Sequence, residues 1–141
     1  MTRDRGSVLF LYPVGFLIVL MLGAIAVDLG NVWLQQRRLA DAADSAANDA
    51  VTYGLDQSVL RSTGDLELSE ARIDEIVAAS VAGQDLPPAA VITDSSGTVI
   101  GGVPAVTVTI ESEAELIFGR FVRSGGIAIS ATGVAELTDG S

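Results

Sequence analysis

Three residue types that carry much of protein chemistry are absent from this sequence of 141 residues: cysteine, histidine and lysine. Disulfides cannot form without cysteine. Thiol nucleophiles, imidazole bases, Schiff-base amines and the common zinc ligands are excluded together with these side chains. Any catalytic chemistry would depend on carboxylates and hydroxyls alone. We therefore predict that the chain is not an enzyme and holds no cofactor or metal.

Basic charge is scarce beyond the first 38 residues. From Leu39 onward the sequence has four arginines against 16 aspartates and glutamates, which gives a net charge of −12. Such a surface repels nucleic-acid phosphates and anionic lipid headgroups, so we predict no nucleic-acid partner. No glycine-rich loop precedes a helical pattern in the position that binds phosphates, and we predict no small-molecule substrate.

Charge is absent altogether from a run of twenty residues, Val8–Val27, which we call the apolar run. A helix of that length covers ~30 Å, about the hydrocarbon thickness of a bilayer. The apolar run therefore predicts a single-pass transmembrane helix whose partner is membrane lipid. Arg3 and Arg5 precede it, which predicts a cytoplasmic segment over residues 1–7 and an outward-facing chain beyond the helix.

A cleaved secretory signal peptide is the alternative for the same run. Ala24 and Ala26 fit the small-x-small pattern that signal peptidase recognises. Cleavage there would release an extracytoplasmic binding module, secreted or anchored, that begins at Val27. The apolar run is longer than the ~7 to 15 apolar residues of a usual signal peptide. This length favours retention of the run as a membrane anchor.

Small residues recur in and just beyond the apolar run. Their spacing along a helix allows a second membrane helix to approach closely, and they are Gly15, Gly23, Ala26 and Gly30. We therefore predict that they take part in helix packing. In a membrane such packing exchanges contacts with lipid for contacts with another helix.

The helix is predicted to continue beyond the membrane as an amphipathic stalk over residues 28–54. From 32 to 53 the sequence has no proline or glycine and is rich in alanine, the best helix former. A stripe of small residues along one face includes Ala43, Ala46 and Ala50. This stripe can pack against the chain's own domain or against another protein, and packing on its own domain is the favoured interpretation.

Residues 55–141 are predicted to form a small extracytoplasmic head. The glycines at 54 and 64 bound a predicted connection, and a short second helix follows with Ser69 as its N-cap. The helix ends before Gly83. Its predicted apolar face consists of Ile73, Ile76, Val77 and Val81.

Twofold alternation then replaces the helical period. The stretches 106–110 and 127–131 alternate apolar with polar residues, the pattern of half-buried strands. Asp94–Gly97 predicts a hairpin turn between two shorter strand segments, and Leu116–Phe121 predicts an apolar corner beneath the sheet. The predicted fold class is therefore α+β: a long transmembrane helix and stalk, a short second helix, and a small antiparallel sheet of three or four strands.

Three carboxylates stand at alternate positions of one predicted strand: Glu111, Glu113 and Glu115. Metal binding is one interpretation, but Ca²⁺ needs six or more oxygens drawn from several segments. A solvated strand face, whose charge protects the edge of a sheet, explains the pattern more simply. We therefore assign no metal site to these residues.

Four features of the first fifty residues follow one another in a characteristic order. They are Arg5–Val8, the apolar run, Val27–Gly30, and Gln36–Leu39 with the alanine- and aspartate-rich stretch after it. This order resembles the N-terminal region of TadE/TadG-like proteins, components of the bacterial tight-adherence (Flp-type) pilus apparatus. The resemblance implies a pilin-like pseudopilin or minor pilin of the inner membrane. Its implied partners are other pilus-apparatus subunits, contacted through the N-terminal helix.

Processing by prepilin peptidase is a further expectation from this resemblance. Gly6 and Ser7 occupy the cleavage position, and glutamate is expected as the fifth residue beyond the glycine. Leu11 stands there instead. This departure brings the chain closer to uncleaved members of the family. It also favours a peripheral or initiating role over that of a major filament subunit.

Overall fold

The longest element is a helix of 49 residues, α1 (Arg5–Tyr53). It belongs to a computed structural model that describes residues 5–64, 67–122 and 124–137. The predicted continuous helix is confirmed, and at ~1.5 Å per residue it is about 70 Å long. Pro13 lies inside the helix without ending it. Residues 1–4 of the predicted cytoplasmic segment lie outside the described residues.

The two halves of α1 have opposite surroundings. Large apolar side chains between Leu11 and Val27 are 43% to 78% exposed, and this half is long and apolar enough to cross a membrane. In the C-terminal half, one face of the helix is buried in the core of the head. The residues of that face are Leu39, Ala42, Ala43, Ala46, Ala47, Ala50 and Val51.

A short helix, α2 (Gln57–Thr63), occupies the stretch that was predicted to be a simple connection, so that prediction is wrong. Asp56 begins the helix by accepting hydrogen bonds from the backbone N–H groups of Ser58 (2.8 Å) and Val59 (3.4 Å). Gly64 ends it in the left-handed conformation, with φ +81°. These caps are recognisable helix signals, but seven residues are too few for an apolar period to emerge.

The predicted second helix is present as α3 (Glu70–Ala82), and Ser69 is its N-cap residue. The side chain of Ser69 makes no capping hydrogen bond, so the position was predicted correctly and its capping contact was not. Ile73 and Val77 are fully buried in the core that α3 forms with α1, as the apolar period predicts. Gly83 follows the last turn, as expected.

Three antiparallel strands complete the fold in the order β1 (Val91–Ile100), β2 (Val103–Ala114) and β3 (Ile127–Glu136). The predicted turn at Asp94–Gly97 is wrong, because these residues lie within β1 and pair with β2. The hairpin turns at Gly101 and Gly102 instead, where φ is +61° and +90°. A two-residue turn of type I′ needs positive φ at both positions, and glycine adopts it without steric cost.

The side chains of β2 and β3 alternate between the core and the outside, as the twofold period predicts. Val106, Val108 and Ile110 are fully buried in the core shared with α1. β3 approaches the helix closely at Gly133, where an added Cβ would lie 2.3 Å from the carbonyl carbon of Ala43. The α+β class is confirmed, and the C-terminal half of α1 is part of the core of the head.

The segment Leu116–Phe121 does not lie beneath the sheet, so the predicted apolar corner is wrong. It belongs to the connection between β2 and β3, which contains a 3₁₀ turn, Gly119–Phe121, beside α1. Phe121 and Val122 are 80% and 93% exposed. Hydrogen bonds from its backbone N–H groups to the side chain of Asp28 in α1 hold this segment in place.

Candidate functional site

One carboxylate binds the connection between β2 and β3 to α1. Asp28 is the first charged residue after the apolar run, and its side chain accepts three backbone hydrogen bonds. Its Oδ1 lies 2.7 Å from the amide nitrogen of Ile117 and 2.9 Å from that of Phe118. Its Oδ2 lies 2.6 Å from the amide nitrogen of Gly119. Both carboxylate oxygens of Asp28 therefore have hydrogen-bond donors, although the residue is only 8% exposed.

The same hydrogen bonds set the charge state of Asp28. The N–H of Phe118 has the largest effect and, with the N–H groups of Gly119 and Ile117, lowers the pKa of Asp28 below its usual 3.8. Desolvation by burial acts in the opposite direction but does not prevail. Asp28 is therefore an anion at neutral pH, when it binds the loop most strongly.

Two amide side chains extend this attachment along the same face of α1. Asn31 donates from Nδ2 to the carbonyl oxygen of Glu115 (2.8 Å). Gln35 donates from Nε2 to the same oxygen (3.2 Å) and accepts a hydrogen bond from the N–H of Glu115 (3.1 Å). Residues three and four positions apart share a helix face, so Asp28, Asn31 and Gln35 form one row, which we call the polar row.

The sequence-based predictions do not include the polar row. Asp28 enters them only within the stretch Val27–Gly30 at the end of the apolar run, and Asn31 and Gln35 have no predicted role. The available signal is their spacing, with polar side chains at positions i, i+3 and i+7 directly after the run. That spacing indicates a shared face but cannot identify the partner, because the bonded backbone groups lie 80 to 91 residues further along the chain.

Acidification is expected to release the loop from the polar row. A carboxyl whose pKa is lower in the folded state stabilises that state above its ordinary pKa, and the contribution is lost as the pH falls through the lowered value. Amide hydrogen exchange of the chain in detergent measures this. The amides of Ile117, Phe118 and Gly119 should be protected at neutral pH and lose protection when the pH falls below 3.8.

The variant Asp28→Asn should lower the protection of these three amides against exchange at neutral pH by about tenfold or more. The reason is that the charged acceptor of their hydrogen bonds is lost. Its control is Asp41→Asn, which removes an exposed carboxylate from the same helix. Equal protection of the loop amides in both variants would contradict the role assigned to Asp28.

The small residues of the membrane half lie on a different side of α1. A Cβ added at Gly15, Gly23 or Gly30 would meet no atom within 4 Å, and Ala26 is exposed. At about 100° per residue these four positions fall within roughly 80° of one another and roughly 140–160° away from Asp28. We call them the glycine face. No described part of the chain covers it, and helix packing there stays a prediction.

The alanines predicted for helix packing in the stalk have a partner within the chain. Ala43, Ala46 and Ala50 are fully buried in the core that α1 forms with the sheet and α3. The stripe of small residues lets the strands come close, as the contact of Gly133 with the backbone of Ala43 illustrates. Of the two uses considered for the stripe, the structure shows the favoured one, packing on the chain's own domain.

Both candidate cleavage sites lie within α1. Gly6 and Ser7 belong to its first turn, whereas Ala24 and Ala26 lie near its middle, where the helix is uninterrupted. Ala24 is half-buried and lies one turn before Asp28. Processing at either place stays a prediction.

The acidic side chains on β2 and after it do not converge. Glu111, Glu113 and Glu115 are all exposed, as expected for a solvated strand face. Within residues 5–64, 67–122 and 124–137 there is no group of three or more acidic side chains placed to hold a metal ion.

A known protein family matches the first part of the chain. The model of a family described as putative Flp pilus-assembly TadE/G-like matches residues 6–52, about a third of the chain. The predicted resemblance is confirmed for this segment, which coincides with nearly all of α1 and includes the polar row. The family is one of pilus assembly and not of catalysis. No curated protein and no solved structure matches the chain.

Proposed function

Because residues 6–52 match the Tad family, we propose that this chain is a membrane-anchored, pilin-like component of a tight-adherence pilus or secretion apparatus. It acts in assembly through its N-terminal helix. The observation that carries the proposal is the coincidence of the matched segment with α1 (Arg5–Tyr53). That helix joins an apolar half of membrane-spanning length to a half buried in the core of the head.

In this proposal the apolar run crosses the inner membrane, with the N-terminus inside and the head outside. Arg3 and Arg5 support this orientation, because arginines close to the first span tend to stay cytoplasmic. The exposed apolar side chains of the run support its place in lipid. Water would cover them only at a hydrophobic cost, whereas a helix satisfies its own backbone hydrogen bonds within the bilayer.

Contacts with neighbouring subunits are proposed on the glycine face. Membrane helices associate through close van der Waals packing, and small residues allow their backbones to approach. The face lies on the opposite side of α1 from Asp28, so the loop held by the polar row does not cover its centre. A neighbouring helix could therefore pack on the glycine face while the head keeps its own fold.

A peripheral or initiating place in the apparatus is proposed from one residue. Leu11 stands where related pilins are expected to carry glutamate, and it is 63% exposed in the apolar half of α1. It offers no charge that could set the register of one subunit against the next. A subunit that lacks this charge is better suited to the start or the edge of a filament than to its repeating interior.

Pilus counts in the source bacterium test the proposal. Deleting the gene should remove surface pili seen by electron microscopy, and the wild-type gene should restore them. Gly23→Leu should restore about tenfold fewer, because a loss of about 1.4 kcal/mol of helix packing lowers association tenfold. The leucine would separate α1 from its neighbour on the glycine face.

The matched control is Met21→Leu, which places the same residue at nearly the same depth but roughly 160° around the helix. It should restore pili as well as wild type. Normal pili in the deletion strain would contradict the function. Equal counts from Gly23→Leu and Met21→Leu would contradict the glycine face as the contact surface.

A further inference from the structure

The loop held by Asp28 presents large apolar side chains to its surroundings. We call the segment Leu116–Val122 the aromatic loop. Ile117 and Phe118 are each 46% exposed, Phe121 is 80% exposed and Val122 is 93% exposed. Four such side chains in six residues form a patch that is unfavourable in water. The described part of the chain leaves much of this patch exposed, although hydrogen bonds to Asp28 hold its backbone.

The position of the aromatic loop along α1 indicates where this patch lies relative to the predicted membrane span. The loop is bonded to Asp28, the first residue beyond the apolar run, which places it level with the end of the predicted span. Phe118 also extends toward the run. It lines an apolar groove together with residues of α1 that include Leu17, Met21 and Val27. Gly23, at the edge of the glycine face, lies on the same groove.

The charge of the loop differs from that of the rest of the head. Between residues 116 and 126 there are two arginines, Arg120 and Arg123, and no acidic residue. These are half of the arginines found from Leu39 onward. The Cζ of Arg120 lies 5.3 Å from the ring centroid of Phe121, so one side chain pair combines an apolar body with a cationic end. Such pairs suit the headgroup region, where the cation reaches phosphates.

We propose that the aromatic loop inserts into the headgroup region on the head side of the membrane, and gives the chain a second membrane contact beside its helix. The inference rests on the membrane anchoring proposed above. A bilayer is the occupant that the observations favour, because the patch continues the lipid-exposed surface of the apolar run and carries the matching charge. Asp28 positions the loop by fixing its backbone, and the apolar side chains supply the membrane contact.

Two attachments would hold the head at a defined height and orientation above the bilayer. A single helix lets the head tilt and rotate, whereas a loop bonded to Asp28 and inserted beside it restricts both motions. The acidic surface elsewhere on the head is repelled by anionic lipid, so it favours the orientation in which the aromatic loop faces the membrane.

Spin labelling of the full chain tests the inference, and the absence of cysteine makes single labels straightforward. Val122→Cys carries the nitroxide in the loop and leaves Phe118 and Phe121 intact. Val99→Cys is the control, because Val99 is also an exposed valine (68%) but lies next to the distal hairpin. Each chain is placed singly in nanodiscs of phosphatidylethanolamine and phosphatidylglycerol. Collision rates with oxygen and with a water-soluble nickel chelate are then measured.

The label at 122 should collide with the nickel chelate about tenfold less often than the label at 99, since burial of one phenylalanine favours the apolar phase by about that factor or more. It should retain its collisions with oxygen, which dissolves in lipid. In Asp28→Asn the difference in nickel collision rate between the two labels should shrink. A protease-resistant head in this variant would show that the fold persists.

Three results would overturn the inference. Equal nickel access at 122 and 99 would place the loop in water. Protection of the label at 122 from both nickel and oxygen would indicate that the loop contacts protein. If that protection appeared only with several chains per disc, the contact would be with a second copy of the chain. If Asp28→Asn left the difference in nickel collision rate between the two labels unchanged, Asp28 would not position the loop. Loss of the whole chain from the discs would instead contradict the anchoring on which the proposed function depends, so the two failures are distinguishable.

Discussion

Replacing Gly133 with alanine is expected to destabilise the head by about 3 kcal/mol, at the upper end of the usual cost of overpacking a core. The added Cβ would lie 2.3 to 2.5 Å from backbone atoms of Ala43 and Asp44, which cannot rotate away as a side chain can. The helix and β3 would have to separate, and the neighbouring core contacts would weaken with them. Pulse proteolysis of the detergent-solubilised chain across a urea series measures the change.

The control for this substitution is Gly30→Ala, which makes the same chemical change in open space on the same protein. Alanine is favoured over glycine inside a helix by about 0.5–1 kcal/mol, so this variant should be as stable as wild type or slightly more so. If Gly133→Ala resisted urea as well as Gly30→Ala does, the close approach of α1 and β3 would be refuted.

A second large effect is expected from Ala46→Asp. Ala46 is fully buried in the core of the head, so the new carboxylate would have to be buried without a partner. An uncompensated buried charge costs about 3–5 kcal/mol, a large share of the stability of a small domain. We expect the variant to stay in the membrane fraction, because its apolar run is intact, while its head is digested by protease.

Ser45→Asp is the neighbouring control, because Ser45 is exposed on the same helical turn and the charge stays in water there. This pair also separates the two uses of the small-residue stripe. A protease-resistant head in Ala46→Asp, together with a loss of pili, would mean that the stripe faces a partner protein and not the chain's own sheet.

The sequence pattern predicted those helices and strands that bury one face in the core. The continuous helix, the apolar face of α3 and the alternation in β2 and β3 follow from periodicity, which burial of one face imposes directly. The hairpin was misplaced because both Asp94–Gly97 and Gly101–Gly102 have turn composition. The choice between them depends on contacts with α3, where Glu70 accepts from the N–H of Gly97 and Asp74 accepts from the hydroxyl of Ser95.

The candidate site was only partly predictable for a related reason. The positions of the glycine face follow from residue spacing within one helix, so they could be predicted from the sequence. The aromatic loop has a composition that predicts burial, but its position is set by hydrogen bonds between Asp28 and backbone amides about 90 residues away. Backbone donors carry no sequence signal, so no local pattern can pair Asp28 with Phe118. Only the folded chain brings them together.

The proposed function requires that the apolar run remain in the mature molecule as an anchor continuous with the head. Intact-mass spectrometry of the native protein, recovered from membrane and soluble fractions of the source cells, tests this requirement. We expect a membrane-bound species whose mass includes residues Val8–Val27, whether or not Gly6–Ser7 has been cut. A freely soluble species that begins at Val27 would contradict it.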